Sequence, residues 1–271
     1  MYLLWLRVAA VFYGLASVTA LPAVLGDRPR WQRICLPLAI GGWFFHFVAF
    51  VEMLVAAHRF MPVGMREVQS TLALLIATVF LLIWIRYRTI SLGVFALPLA
   101  FLVILPPALG PDKYTFSSSL VRSGWIAIHV TLLLAAYAAL IFSLLASLLY
   151  LAQERRLKNR QSPGFLEWLP PLDTMEQIAK TTLIFGFHCM TVGLLIGSFI
   201  AQEHMGAAYF LDPKVVLSFV MWVLYLVILF VRRSAGLRGR RAVYLSSAVF
   251  LLMLCVWAAN IFSSVHRFTT Q

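Results

Sequence analysis

Of the 271 residues, 62% are hydrophobic and only 12% are charged, where a soluble domain carries about 45–50% apolar and about 25% charged residues. That much apolar surface cannot be hidden inside a water-facing globule, which excludes a soluble enzyme, a nucleic-acid-binding domain and a secreted disulfide scaffold. The net charge of +12, from 22 Lys and Arg against 10 Asp and Glu, falls in short segments between apolar runs, as it does where a membrane protein fixes its orientation.

A bilayer core about 30 Å thick needs roughly 20 apolar residues in a helix. In chain order, the runs Tyr2–Leu25, Ile34–Ala57, Gln69–Ile85, Ser91–Leu109, Gly124–Leu151, Thr181–Gln202, Val215–Val231 and Ala242–Phe262 meet or approach that length. They predict an all-α, polytopic bundle of about eight transmembrane helices, forming a single integral membrane domain over residues 1–271. The third and seventh runs sit near the lower length limit. The first is too long, and too poor in basic residues at its start, for a cleaved signal peptide, and is expected to be a retained span.

Counting Lys and Arg sets the orientation. One set of alternating loops holds fifteen, including Arg28, Arg30, Arg33, Arg155, Arg156, Arg238 and Arg240, and the other holds six. The richer set is expected in the cytoplasm, leaving both termini outside, in the bacterial inner membrane. The long segment Gln153–Lys180 is then a basic cytoplasmic loop. Trp168, between two leucines and beside Pro170 and Pro171, suggests a stretch lying in the membrane interface. Thr174 followed by Gln177 resembles a capping box at the entry to the sixth span.

Residues that are costly in lipid are the candidates for function. Four of the six histidines, His58, His129, His204 and His266, fall toward the expected outer face, and His46 and His188 lie deeper. Neutral imidazole is a good ligand for haem iron, and two can bind it from opposite faces. His129 and His266 share one depth, with Trp125, Tyr137, Trp257 and Phe262 near them in sequence. The same positions also suit interfacial histidines wetted by headgroups. His46 and His188 form a possible second, intramembrane pair, or are histidines hydrogen-bonded to a neighbouring helix. Gly193 and Gly197 have the small-xxx-small spacing of close helix packing. Cys35, Cys189 and Cys255 form no CxxC pair, so neither a thiol-redox site nor a disulfide framework is indicated.

Three stretches together carry a family resemblance. The first is Trp125–Val130 with Ala136-Tyr137 and the run Ser147–Leu151. The second runs from Gly186-Phe187 through Gly193, Gly197 and Ala201 to Met205-Gly206-Ala207-Ala208-Tyr209-Phe210-Leu211-Asp212-Pro213-Lys214, then Ser218, Trp222 and Tyr225. The third is Gly236–Ala242 with Ala259-Asn260-Ile261 and His266. They resemble the cytochrome c assembly family of haem-handling membrane proteins, which includes the CcsA, CcmC and HemX types, over roughly Ser119–Phe268. The family's external motif reads W-G-x-x-W-x-W-D-P-K-E. Here Met205, Tyr209 and Leu211 stand where it has tryptophans and Val215 where it has an acidic residue, while Gly206, Asp212, Pro213 and Lys214 remain. Phe230 occupies the place of an inner histidine found in the synthetase-type members.

The resemblance implies a haem-handling protein of cytochrome c assembly that binds haem at its outer face. His129 and His266 would be the axial ligands, and Trp125, Tyr209 and Asp212 would belong to the same site. The haem would be of b type and held transiently or weakly, because the tryptophan platform is reduced. Such a chain is not expected to be an enzyme alone. It would serve as one subunit of a haem-attachment system, with an assembly partner subunit to present the apocytochrome. The alternative is a regulator of the HemX type, which would contact a soluble haem-biosynthesis enzyme through Gln153–Lys180. No paired broken helices or inverted repeat point to a transporter.

Overall fold

The computed structural model describes residues 1–25, 29–58, 62, 65–110, 124–158, 169–205, 210–234 and 240–258. Among these residues there are eight helices and no strand: α1 (Tyr2–Leu25), α2 (Pro29–Ala56), α3 (Met65–Tyr87), α4 (Gly93–Leu109), α5 (Gly124–Lys158), α6 (Leu172–Met205), α7 (Pro213–Ser234) and α8 (Arg240–Ala258). Six are long and apolar enough to cross a membrane, and α4 and the Val243–Val256 part of α8 are shorter apolar helices. The chain is a multi-pass helical membrane protein.

The helices expected to be marginal are not the short ones. α3 has 23 residues and α7 has 22, because backbone hydrogen bonding continues past the apolar stretch through Arg66, Glu67 and Arg86 in one and Lys214 and Arg232 in the other. The shortest is α4, with 17 residues and prolines at 98, 106 and 107. The start of α6 also differs from the expected capping box. The helix begins at Leu172, directly after Pro170-Pro171, and Thr174 already lies within it. Gln177 Nε2 donates instead to Asp173 Oδ2, one turn back, at 2.8 Å. Trp168 lies outside the described residues.

The chain divides into two compact units, Met1–Arg122 with Gln161–Pro171, and Ser123–Arg160 with Leu172–Gln271. In the first, α1 packs on α2 and α4, and α3 packs on α2 and α4. Tyr13, Ile76, Phe80, Leu97 and Ile104 are fully buried between them. Arg7, a cation within an apolar helix, is accommodated by donating from Nε to the carbonyl of Ala108 at 3.1 Å. That carbonyl is among the last of α4 and has no acceptor role left inside its own helix.

In the second unit α5 packs along most of α6, and α8 contacts α5 and α7. The pairs His129–Gly193 and Ser143–Ala179 show that α5 and α6 run antiparallel. Polar side chains join the helices, as small polar groups do in lipid-embedded bundles. Ser143 Oγ donates to Ala179 O at 2.8 Å, Trp222 Nε1 to Thr191 Oγ1 at 2.8 Å, and Tyr225 Oη to Ala136 O at 3.4 Å. Trp222 and Tyr225, the W-x-x-Y pair of α7, therefore act in packing, with Phe187 stacked on Trp222 at 6.0 Å between centroids.

Candidate functional site

His129 stands near the start of α5, and Trp125 precedes it by one helical turn on the same face, as residues four apart do. The imidazole is partly buried and its Nδ1 lies 2.6 Å from the carbonyl oxygen of Gly193 on α6. A carbonyl can only accept, so Nδ1 carries the hydrogen, and a neutral ring then keeps its lone pair on Nε2. Among the described residues Nε2 has no hydrogen-bond partner. A carbonyl-held N–H is the arrangement that fixes tautomer and ring orientation in metal-ligating histidines.

At the same end of the α5–α6 pair, a cavity of about 560 Å³ is lined by Trp125, Ile196, Phe199, Ile200 and Gln202. Its volume falls within the range of roughly 300–1,000 Å³ typical of small-molecule sites, and four of its five walls are apolar or aromatic, as such sites are. Trp125 and Phe199 are largely exposed at its rim. The antiparallel pairing of α5 and α6 explains the juxtaposition: the start of one helix meets the end of the other.

The start of α7 borders the same region. Asp212 is buried and its Oδ1 accepts from the backbone N–H of Lys214 at 2.9 Å, so it caps α7 immediately before Pro213, as side-chain acceptors do at helix starts. Val215 packs with Ala201 and Phe219, tying the beginning of α7 to the end of α6. Lys214, in the first turn of α7, brings a cation to the same end of the unit as His129. Tyr209 and His266 lie outside the described residues. Phe210 and Leu211, which are described, are exposed in a short turn before α7.

The two deeper histidines sit in different units. His46 of α2 is fully buried in the first, with Tyr13 Oη 3.4 Å from Nδ1 and Ser70 Oγ 3.0 Å from Nε2. His188 of α6 belongs to the second, is exposed, and its Nδ1 donates to Ile184 O of its own helix at 2.8 Å. The described residues contain no group of three or more His, Cys, Asp or Glu side chains suited to hold a metal ion. The three cysteines are free.

Sequence reasoning reached His129, Trp125 and Asp212 but not Ile196, Phe199, Ile200 or Gln202, and it treated Gly193 and Gly197 only as packing residues. Their spacing was a signal of close approach, without showing that part of what approaches is an imidazole.

Comparison with known proteins identifies the family. A family model described as cytochrome c assembly protein matches residues 39–266. The cytochrome c biogenesis protein CcsA of Prochlorococcus marinus strain MIT 9215 is 30% identical, covering 66% of this chain and 66% of its own length. That of strain MIT 9515 is also 30% identical, over 66% of this chain and 65% of its own. The CcsA protein of Guillardia theta is 24% identical over 71% of each. For the two Prochlorococcus relatives the match thus spans just under two thirds of their length.

Proposed function

Because this chain belongs to the cytochrome c assembly protein family, we propose that it handles haem during cytochrome c biogenesis. It binds haem at the outer membrane face through His129 and His266. The observation that carries this reading is the state of His129: Nδ1 is tied to Gly193 O at 2.6 Å, leaving Nε2 as the ligand nitrogen. His129 and His266 would hold the haem iron through imidazole nitrogens, and the hydrogen bonds and polarity around those ligands would set its properties.

The residues present fit that group. The cavity of Trp125, Ile196, Phe199 and Ile200 offers an apolar wall for a flat macrocycle, and Trp125 in that wall lies one helical turn from the ligand histidine. Lys214 supplies positive charge at the start of α7, which packs on the end of α6, and this favours a ligand carrying carboxylates. Asp212 holds the start of α7, and so Lys214, in place. With the orientation that the Lys and Arg distribution implies, this end of the α5–α6 pair faces outward from the bacterial inner membrane, and Tyr209 and His266 are the further residues assigned to the site by the family resemblance. The haem is of b type and held weakly, consistent with transfer rather than storage. A partner subunit presents the apocytochrome, and the chain alone performs no haem attachment.

The test is to purify the chain with haem supplied and record the Soret band of wild type, His129→Ala and His266→Ala. Each substitution is expected to lower haem content strongly, and equal content in all three proteins would refute the assignment.

A further inference from the structure

We propose that Gly193 and Gly197 of α6 are positioning residues for His129. The Gly193 carbonyl selects which ring nitrogen bears the proton, and the bare backbone of Gly197 determines where the ring lies. The use made of the ring rests on the haem reading above, but the seat itself is a property of the protein without ligand.

The two glycines of this stripe meet different neighbours. A Cβ added at Gly193 would approach Leu133 Cδ2 to 3.0 Å and Leu132 Cβ to 3.4 Å, which are the contacts of two closely packed helices. A Cβ added at Gly197 would run into the His129 ring, and the three nearest atoms there, Cε1, Nδ1 and Nε2, all belong to that imidazole. That imidazole is the nearest neighbour in the space. The absent methyl at Gly197 is therefore matched to one ring.

The hydrogen bond then fixes the ring within that space. At 2.6 Å from Gly193 O, Nδ1 must donate, because two lone pairs at that distance would repel. Helix hydrogen bonding holds the Gly193 carbonyl in place, so the donor direction is set by the backbone of α6 and not by a mobile side chain. Nε2 sits opposite Nδ1 on the ring and is left as the nitrogen available to a metal. Alanine at 197 forces the ring to swing away from its seat or the helices to part, and both outcomes loosen the Nδ1 hydrogen bond.

The experiment uses the full chain in detergent, with four proteins: wild type, Gly197→Ala, His129→Ala and the double variant. In the haem-free state, Gly197→Ala is expected to lower the melting temperature of wild type and to leave that of His129→Ala unchanged. In protein labelled with ¹⁵N at histidine, the His129 signals are expected to report protonated Nδ1 and unprotonated Nε2, and to shift in Gly197→Ala. With haem supplied, Gly197→Ala is expected to hold at least tenfold less haem than wild type and to lose the low-spin spectral signature of two nitrogen ligands. An equal fall in melting temperature with and without the imidazole would assign Gly197 to helix packing alone and overturn the proposal. A wild-type Soret band in Gly197→Ala, or a protonated Nε2 in wild type, would overturn it too. Should wild type take up no haem, the haem reading fails, while the melting cycle and the nitrogen shifts still decide the seat.

Discussion

Tyr13 meets His46 edge to face, with ring centroids 5.8 Å apart and planes at 65°, over a stretch of α2 that Gly42 leaves bare. A Cβ at Gly42 would lie 2.8 Å from the Tyr13 ring, so the glycine one turn before His46 is what lets the phenol reach the imidazole. With Ser70 on its other nitrogen, His46 joins three helices of the first unit through one buried side chain.

That junction makes a graded prediction. Tyr13→Phe removes a 3.4 Å hydrogen bond but keeps the ring packing, and should cost about 0.6 kcal/mol, the average for interhelical hydrogen bonds in membranes. His46→Ala empties a buried site and strands Ser70, and should cost about 2–4 kcal/mol. Unfolding in mixed detergent measures both, and equal losses would show that the hydrogen bond matters more than the packing.

In the second unit, Trp222→Phe should keep the stack on Phe187 but lose the donor to Thr191, costing about 0.6–1.7 kcal/mol. Thr191→Val removes the same bond from the other side. The double variant should therefore cost less than the two single losses added together, because both act on one contact. Full additivity would mean that the bond contributes nothing.

Asp212→Ala should destabilise the start of α7 by about 1 kcal/mol, as the loss of a capping side chain does, and Asp212→Asn should recover most of that. Melting temperatures of the haem-free chain give the comparison. A side chain that served only as a ligand contact would leave them all alike.

Replacing Lys214 by Met should weaken haem binding by about tenfold, equivalent to about 1.4 kcal/mol, and should weaken binding of a porphyrin with esterified carboxylates much less. A titration of both porphyrins against wild type and variant reads this directly. Equal weakening for both would show that Lys214 acts through the fold and not through ligand charge.

Much of the fold was legible because lipid imposes long apolar runs, and those runs lie open in the sequence. Their ends were harder to read. Arg66 and Lys214 extend α3 and α7 beyond the apolar stretch, and the hydrogen bond between Gln177 and Asp173 takes the place of the box expected at Thr174. His129 could be singled out because an imidazole is costly in lipid. Its partner could not, since the Gly193 carbonyl is 64 positions away and is a backbone atom that no residue pattern advertises. The fully buried environment of His46 was hidden for the same reason: Tyr13 and Ser70 come from two other helices, and only tertiary packing brings them to it.

The antiparallel pairing of α5 and α6 has a consequence for biosynthesis. The His129 imidazole, its carbonyl acceptor and the walls of the cavity at that end are all encoded between Gly124 and Met205, so once this hairpin closes in the bilayer, the seat of His129 exists before α7 and α8 leave the ribosome. The capped start of α7 at Asp212 then arrives at the end of α6, where Val215 packs with Ala201.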